Sequence, residues 1–172
     1  MNKIILVLVI ALVLMVVVVG YLLSTGSYSP PINNQTQGTP SGQQVPSGKV
    51  LNLSGRGLTN IPSYVFNQTS LEELNVSNNF LTGAIQSQIG QLKNLKILNA
   101  SNNQMTGVPA EVGQLQNLRV LDLSNNKLTG LPNELGNLKN LETLNLSRNQ
   151  YSQQDLDVIL KGLPANVNVI TN

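Results

Sequence analysis

The chain has 172 residues, of which 10% are charged and 3% aromatic, with no Cys, no His and a formal net charge of +2. The missing cysteines exclude disulfides, thiolate nucleophiles and zinc–thiolate sites, and the missing histidines remove the commonest general base and transition-metal ligand. The weak charge, with no Lys/Arg cluster, argues against a nucleic-acid partner.

The first predicted element, residues 1–23, is apolar, and Ile4 to Leu23 contains no charged residue. A helix of this length spans roughly 30 Å, the thickness of a bilayer core, so we expect a single-pass transmembrane anchor. Lys3 precedes it and the next basic residue is Lys49, which predicts a cytoplasmic N-terminus with everything that follows outside the cytoplasm. A signal sequence cleaved near Gly26, which would release a secreted protein, is the alternative.

Residues 24–47 are uncharged and rich in Ser, Thr, Pro, Gly, Gln and Asn. Such a segment has too little apolar surface to offset the entropy of ordering. We therefore expect a disordered linker that holds the rest of the chain away from the membrane.

Residues 48–172 contain an internal repeat. Four units of 24, 23, 23 and at least 23 residues begin at Leu71, Leu95, Leu118 and Leu141, with apolar residues at +3, +5 and +10. A degenerate unit from Gly48 precedes them, so about five units are stacked. Each full unit carries an asparagine at +8: Asn79, Asn103, Asn126 and Asn149.

The apolar residues at +3 and +5 alternate with polar neighbours, which predicts a short strand in each unit and a parallel sheet across units. The Asn at +8 stands where the chain must leave the strand. An amide side chain has both donors and an acceptor, so a ladder of these residues can satisfy buried backbone groups. We interpret this ladder as structural.

After the turn, each unit returns along the outer side through a second apolar set. A proline follows its first member and a glycine its second, which predicts a short helical turn opened by Pro and closed by Gly. In the unit from Leu71, Ala84 is an extra residue and should make the loop bulge, and Met105 is expected to fill the gap left by Ala100 at +5. The prolines and glycines are Pro62, Pro109, Pro132, Gly90, Gly113 and Gly136.

The sequence from residue 152, "SQQDLDVILKGLP", predicts a helical cap that seals the C-terminal end of the stack. Ser152 and Asp155 have the spacing of a capping box, and Tyr151 is expected to bury its ring against the cap and leave its hydroxyl in water. The following "VNVIT" predicts a last strand. The apolar residues expected on the buried face are Leu156, Ile159, Leu160 and Leu163.

These units resemble the leucine-rich repeat family, whose strand motif is L-x-x-L-x-L-x-x-N-x-L. The stretch "LTGLPNELGNLKNL" is similar to the 23-residue bacterial type, and "LTGAI" to the 24-residue plant type. The resemblance implies an α/β solenoid of about five repeats with a short parallel sheet on its concave face and a C-terminal helical cap. It also implies use as a surface that binds other macromolecules.

Positions +1, +2, +4, +6 and +7 should face outward and form the concave face. Along the +1 column we expect Lys49, Glu72 and Lys96 to pair, and Arg119 to pair with Glu142. Four of the six N-x-S/T sequons fall at +4 and +6, and we interpret these as a by-product of the repeat. The predicted partner-binding residues are Glu72, Lys96, Arg119, Asp122, Glu142 and Arg148.

The predicted function is a membrane-anchored, extracytoplasmic module that mediates protein–protein or cell-surface interaction, with a passive structural role in the cell envelope as the alternative. The expected partner is a macromolecule, with a protein preferred, and the segment Ile4–Leu23 contacts the membrane. We expect no enzyme activity, cofactor, metal or small-molecule substrate, because acidic pairs such as Glu72 and Glu73 lack a supporting histidine or aromatic sugar platform.

Overall fold

The structure is a computed structural model that describes residues 49–171. The predicted anchor at Ile4–Leu23 and the linker at 24–47 lie outside the described residues. Within 49–171, no helix is both long enough and apolar enough to cross a membrane.

Short strands and short helices alternate along these residues, because each repeat places a few extended residues before a turn. In chain order the strands are β1 (Val50–Asn52), β2 (Glu73–Asn75), β3 (Thr82–Ala84), β4 (Ile97–Asn99), β5 (Gln104–Gly107), β6 (Val120–Asp122), β7 (Thr143–Asn145) and β8 (Asn168–Ile170).

The main sheet has six parallel strands in the order β1-β2-β4-β6-β7-β8. Its register aligns the +3 leucines of neighbouring repeats, for example Leu98 with Leu121 and Leu121 with Leu144. These leucines are fully buried, whereas the residues on either side are only partly so. The predicted inside–outside alternation and the predicted last strand, β8, are therefore confirmed.

A second sheet pairs β3 with β5. Its register shifts between Gly83 and Ala84, where the repeat carries its extra residue. Gly83 has a φ of 67°, a left-handed conformation that glycine adopts without a Cβ penalty. The bulge expected from Ala84 is therefore present.

Four 3₁₀ helices form the outer side: η1 (Ser63–Asn67), η2 (Ser87–Gln91), η3 (Ala110–Gln114) and η4 (Asn133–Asn137). A proline, or Gln86 in η2, directly precedes each one, as expected. The prediction that glycine closes these turns was wrong: Gly90, Gly113 and Gly136 lie inside η2, η3 and η4 without a positive φ.

Close packing between repeats explains these glycines. A Cβ on Gly113 would lie 2.1 Å from the backbone oxygen of Glu134, and one on Gly136 would lie 3.1 Å from that of Ile159. Glycine therefore lets each outer turn sit directly against the next repeat.

The asparagines at +8 are buried at the end of each strand. Asn103 Oδ1 accepts the backbone N–H of Leu81 at 3.0 Å, and its Nδ2 donates to the carbonyls of Val76 and Ala100, both at 3.1 Å. Asn79, Asn126 and Asn149 repeat this arrangement. Each amide therefore joins two repeats while satisfying backbone groups that the turn buries.

The core is one column of aliphatic residues that runs through every repeat. Ala100 and Met105 are both fully buried, as expected of a flexible side chain that fills the space beside a small one. Gln68 is the exception, since it takes the place that Leu92, Leu115 and Leu138 hold in the later repeats. Both side-chain polar atoms of Gln68 are buried, and neither has a hydrogen-bond partner among the described residues.

The C-terminal cap contains the single α-helix of the described chain, α1 (Gln153–Leu160). Ser152 Oγ accepts the backbone N–H of Asp155 at 3.1 Å, so half of the predicted capping box forms. The reciprocal half does not, because Asp155 Oδ2 instead accepts from the backbone N–H of Leu131. Thus Asp155 attaches the cap to the repeat before it.

The buried face of the cap is narrower than predicted. Leu156, Ile159 and Leu163 are buried, but Leu160 is 40% exposed. It lies at the edge of the buried face, roughly 70° around the helix axis from the midpoint between Leu156 and Ile159. Tyr151 is partly buried against the core, as predicted for its ring, and burial raises the pKa of its hydroxyl.

Candidate functional site

The concave face is the solvent-facing side of the main sheet, made by the residues before, within and just after its strands. Backbone hydrogen bonds fix the spacing of these residues: Arg119 N donates to Lys96 O at 2.8 Å and Glu142 N donates to Arg119 O at 2.8 Å. Neighbouring members of the +1 column therefore stand on adjacent strands, about 4.8 Å apart.

At one end of this column, Glu72 is held between two lysines. Lys49 Nζ lies 2.7 Å from Oε1 of Glu72, and Lys96 Nζ lies 2.6 Å from Oε2. Hydrogen bonds from Lys49 and Lys96 lower the pKa of the Glu72 carboxyl to about 2, and the same pairing raises the pKa of Lys49. The predicted ion pairs of these three residues are confirmed.

At the other end, Arg119 pairs with Glu142 more loosely. Arg119 Nε lies 3.4 Å from Glu142 Oε1, and the two side chains are 60% and 58% exposed. Within residues 49–171, the two terminal guanidinium nitrogens of Arg119 make no hydrogen bond. Arg119 is thus attached to the face at one edge and keeps its terminal donors in solvent.

Asp122 and Arg148 occupy different settings. Asp122 Oδ1 accepts from Ser124 N at 2.9 Å and from Ser124 Oγ at 2.7 Å, while its second oxygen accepts none from the described residues. Arg148 lies at the turn after β7, in the left-handed conformation with a φ of 56°. The structure therefore brings Glu72 into contact with Lys96, and Arg119 into contact with Glu142. Asp122 ends β6, which begins directly after Arg119, and Arg148 lies in the turn that follows β7.

The +6 serines do not stand outward as expected. Ser77 and Ser101 are buried, and each +6 backbone N–H donates to the Oδ1 of the +4 residue of its own repeat. Except in the repeat of Ser77, the serine hydroxyl donates to the same oxygen. This local turn needs only an acceptor oxygen at +4, so an aspartate such as Asp122 can form it as well as an asparagine can. The recurring N-x-S pattern therefore has a structural cause.

Sequence reasoning missed two features of the face. The first is the aliphatic pair Ile97 and Val120 at +2, which are partly buried and aligned on adjacent strands. A β-branched residue recurring at +2 was the available signal. The second is the left-handed +7 position, held by Asn78, Asn102, Asn125 and Arg148 with φ between 54° and 56°.

The rest of the described surface offers few alternative sites. No group of three or more Asp or Glu side chains in residues 49–171 could hold a metal ion. A shallow polar groove lies on the outer side between η2 and η3, lined by residues such as Gln88, Lys93 and Glu111. Phe80, at the rim of the concave face, is 57% exposed.

Comparison with known families and proteins gives the same fold. The family described as a leucine-rich repeat region matches residues 49–163. Receptor-like protein 53 of Arabidopsis thaliana is 37% identical over 83 residues, which are 48% of this chain and 8% of that protein.

Two solved structures extend this similarity. A leucine-rich repeat protein of Leptospira interrogans is 41% identical with a TM-score of 0.60, over 64% of this chain and 28% of that chain. The leucine-rich repeat ectodomain of the plant membrane receptor kinase GASSHO1/SCHENGEN3 from Arabidopsis thaliana, in complex with Casparian strip integrity factor 2, is 39% identical with a TM-score of 0.51. That match covers 54% of this chain and 11% of the ectodomain. The present chain thus spans less than a third of each of these proteins.

Proposed function

The chain belongs to the leucine-rich repeat family, and from this premise we propose that it is a membrane-anchored, extracytoplasmic interaction module that binds a protein partner through its concave face. The proposed contact residues are Glu72, Lys96, Arg119, Asp122, Glu142 and Arg148.

One observation carries this proposal. The strands of the main sheet bury their leucines completely and direct charged and amide side chains outward in fixed columns. Because the backbone under these columns is hydrogen-bonded between repeats, the face is ordered before binding and loses little conformational entropy on contact. A polar, rigid face of this kind suits a partner that touches several strands at once.

The similar proteins support a partner-binding role in general terms. One is a receptor-like protein, and another is an ectodomain seen in complex with a second factor. Both proteins contain repeats similar to those of this chain. A partner-binding role for the concave face is therefore consistent with the proteins in which similar repeats are found.

The membrane part of the proposal rests on Ile4–Leu23, whose uncharged length is sufficient to span a bilayer. N-terminal sequencing of the mature protein tests it. An intact N-terminus together with membrane fractionation supports the anchor. A new N-terminus close to Gly26 would show a secreted protein instead.

A passive envelope component is the second candidate, and one observation favours it. Four of the six proposed contact residues already pair with each other on the same face: Lys96 with Glu72 and Arg119 with Glu142. Such pairs could serve only to stabilise the sheet. The passive role therefore predicts no specific ligand.

A saturation experiment separates the two candidates. The full chain, reconstituted in nanodiscs, is incubated with solubilised envelope proteins, and a captured protein is then purified and titrated against it. The interaction module predicts a saturable, one-to-one curve that unlabelled chain competes away. Non-saturable or uncompeted capture would favour the passive role.

A further inference from the structure

The +1 column of the concave face has one break in its alternation of charge. From β1 to β7 its side chains are Lys49, Glu72, Lys96, Arg119 and Glu142. Each carboxylate is paired with a cation on a neighbouring strand, but Lys96 and Arg119 stand next to each other with no acidic side chain between them.

The structure shows how the two cations avoid each other. Lys96 is drawn toward β2 by Glu72, and Arg119 toward β7 by Glu142. Their side chains nevertheless remain 50% and 60% exposed. Because like charges on adjacent strands repel, this junction favours a negatively charged group of a partner placed between the two cations.

Arg119 keeps the donors that a carboxylate needs. Its only ion-pair contact in the described chain is the 3.4 Å approach of Nε to Glu142, so both terminal nitrogens are available. A guanidinium binds a carboxylate through two parallel N–H donors, which gives direction as well as strength. Lys96 on the adjacent strand can approach the same carboxylate as a point charge.

The surface next to this junction is aliphatic. Ile97 and Val120 follow Lys96 and Arg119 directly, are aligned in the register and are partly buried. One position beyond the buried leucines, Asn99 and Asp122 are aligned in the same way. The Nδ2 of Asn99 and the Oδ2 of Asp122 make no hydrogen bond within residues 49–171. One donor and one acceptor therefore stand side by side, on the side of the aliphatic pair away from Lys96 and Arg119.

We propose that β4 and β6 form a subsite for an extended peptide segment of the partner, in which an acidic side chain binds between Lys96 and Arg119 and an aliphatic side chain two positions away packs on Ile97 and Val120. This subsite rests on the proposed function. Alternate side chains of an extended peptide point to the same side, about 6.6 Å apart. The two rows are one residue, about 3.3 Å, apart along the strand, so the long side chains of Lys96 and Arg119 extend along the face to meet the acidic group.

The chemistry of the face favours a peptide over an acidic sugar. None of the six strands of the main sheet carries an aromatic residue on which a sugar ring could stack. The free donor and acceptor at Asn99 and Asp122 instead suit a peptide carbonyl and a peptide N–H.

The test uses the full chain in nanodiscs and short acetylated, amidated peptides. The probe is Ser-Glu-Ser-Val-Ser-Glu-Ser-Val-Ser; one control replaces Glu by Gln and a second replaces Val by Ser. Binding is followed by the shifts of the backbone amide resonances of Ile97 and Val120 in ¹⁵N-labelled protein, which every variant below retains. We expect the probe to bind at least about tenfold more tightly than either control, the range set by one charge-assisted contact or one buried side chain.

Variants then locate the subsite. Arg119→Gln should weaken probe binding about tenfold, whereas Lys93→Gln, an equal charge change on the outer side, should leave it unchanged. If Arg119→Gln lowers the melting temperature, Lys96→Gln provides the same comparison at the other cation. About a tenfold loss of probe affinity in either variant, with an unchanged melting temperature, supports the subsite.

The inference would be overturned by equal binding of either control peptide, by undiminished binding to both Arg119→Gln and Lys96→Gln, or by binding of an oligogalacturonate in place of any peptide. A chain that binds no probe but saturably binds a captured protein would also overturn it, while leaving the proposed function intact. A chain that binds neither would count against both.

Discussion

Asn126 Oδ1 accepts the backbone N–H of Met105, which lies in the preceding repeat, at 3.0 Å. The Nδ2 of the same side chain donates to the carbonyls of Ala100 and Leu123, one in each repeat. A single amide thus satisfies buried backbone groups on both sides of a repeat junction. The asparagine stabilises the stack because it prevents buried backbone groups from being left unpaired. The leucines stabilise it because they bury apolar surface.

The two contributions can be separated by substitution. We expect Asn126→Ala to lower the free energy of unfolding by about 1 to 3 kcal/mol, because it leaves buried backbone groups unpaired. Leu121→Ala, in the fully buried +3 column, should cost about 2 to 5 kcal/mol through a cavity. Asn137→Ala, at an exposed site in η4, is the control and should be neutral. Denaturant unfolding of the full chain measures all three, and silent Asn126 and Leu121 variants would refute the stacking.

Gln68 is a second place where buried polarity decides stability. Since its amide is buried in a column of leucines without a hydrogen-bond partner in residues 49–171, Gln68→Leu should raise the free energy of unfolding by about 1 to 3 kcal/mol. The reverse change, Leu138→Gln, should lower it. Thermal unfolding compares the two variants. A Gln68→Leu protein that is less stable than the wild type would contradict this account.

Gly113 tests the close approach of the outer turns. A Cβ at this position would meet the backbone of Glu134 at 2.1 Å, so Gly113→Ala should destabilise by about 1 to 3 kcal/mol, as overpacking does. At Gly107 the nearest atom to a Cβ is the side chain of Ala84 at 3.7 Å, an ordinary contact, so Gly107→Ala serves as the control. Equal melting temperatures for the two variants would contradict this role.

The ion pairs of Glu72 should make the stability of the fold depend on pH, with less stability in acid. Its pKa is lowered from 4.5 to about 2 by hydrogen bonds from Lys49 and Lys96. A depressed folded-state pKa means stability that is present above about pH 4.5 and lost as the pH falls toward 2.

Glu72→Gln should therefore lower the melting temperature at pH 7 and lose less than the wild type between pH 5 and pH 2. High salt should reduce the difference at pH 7, because all three groups are at the surface. Glu111, on the outer side, makes no ion pair within residues 49–171, so Glu111→Gln is the matched control. Melting curves recorded across this range decide the point, and identical pH profiles for wild type and Glu72→Gln would count against the ion pairs.

The sequence was sufficient for features that recur in every repeat. The leucine spacing predicts the buried +3 column, and the extra Ala84 predicts the irregular pairing with β5, because both follow from the period of the chain. Features that depend on neighbouring repeats were harder. The clearance at Gly113 is set by the backbone of Glu134 in the next unit, so the spacing alone suggested a helix stop instead.

The face itself was predictable only in part. Charges at +1 predict the pairs of Glu72 and Arg119, since strands in register bring them within reach. The hydrogen bonds that fold the +6 serines onto the +4 residue depend on local backbone conformation, and so does the left-handed turn at Arg148. Neither is visible in a pattern of apolar residues. Leu160 lies at the edge of the apolar face of α1 and is exposed, because the helical period does not specify how far around the helix the burial extends.

The most direct test of the proposed binding face is charge reversal at its centre. The affinity of a purified partner is measured by calorimetry for wild-type chain, for Arg119→Glu and for Lys93→Glu, with melting temperatures recorded in parallel. We predict at least about a tenfold loss of affinity for Arg119→Glu, no loss for Lys93→Glu, and unchanged melting temperatures for both. Undiminished affinity of Arg119→Glu for a partner that binds saturably would contradict the account and move the binding surface to the loop of Ala84 or to the outer side.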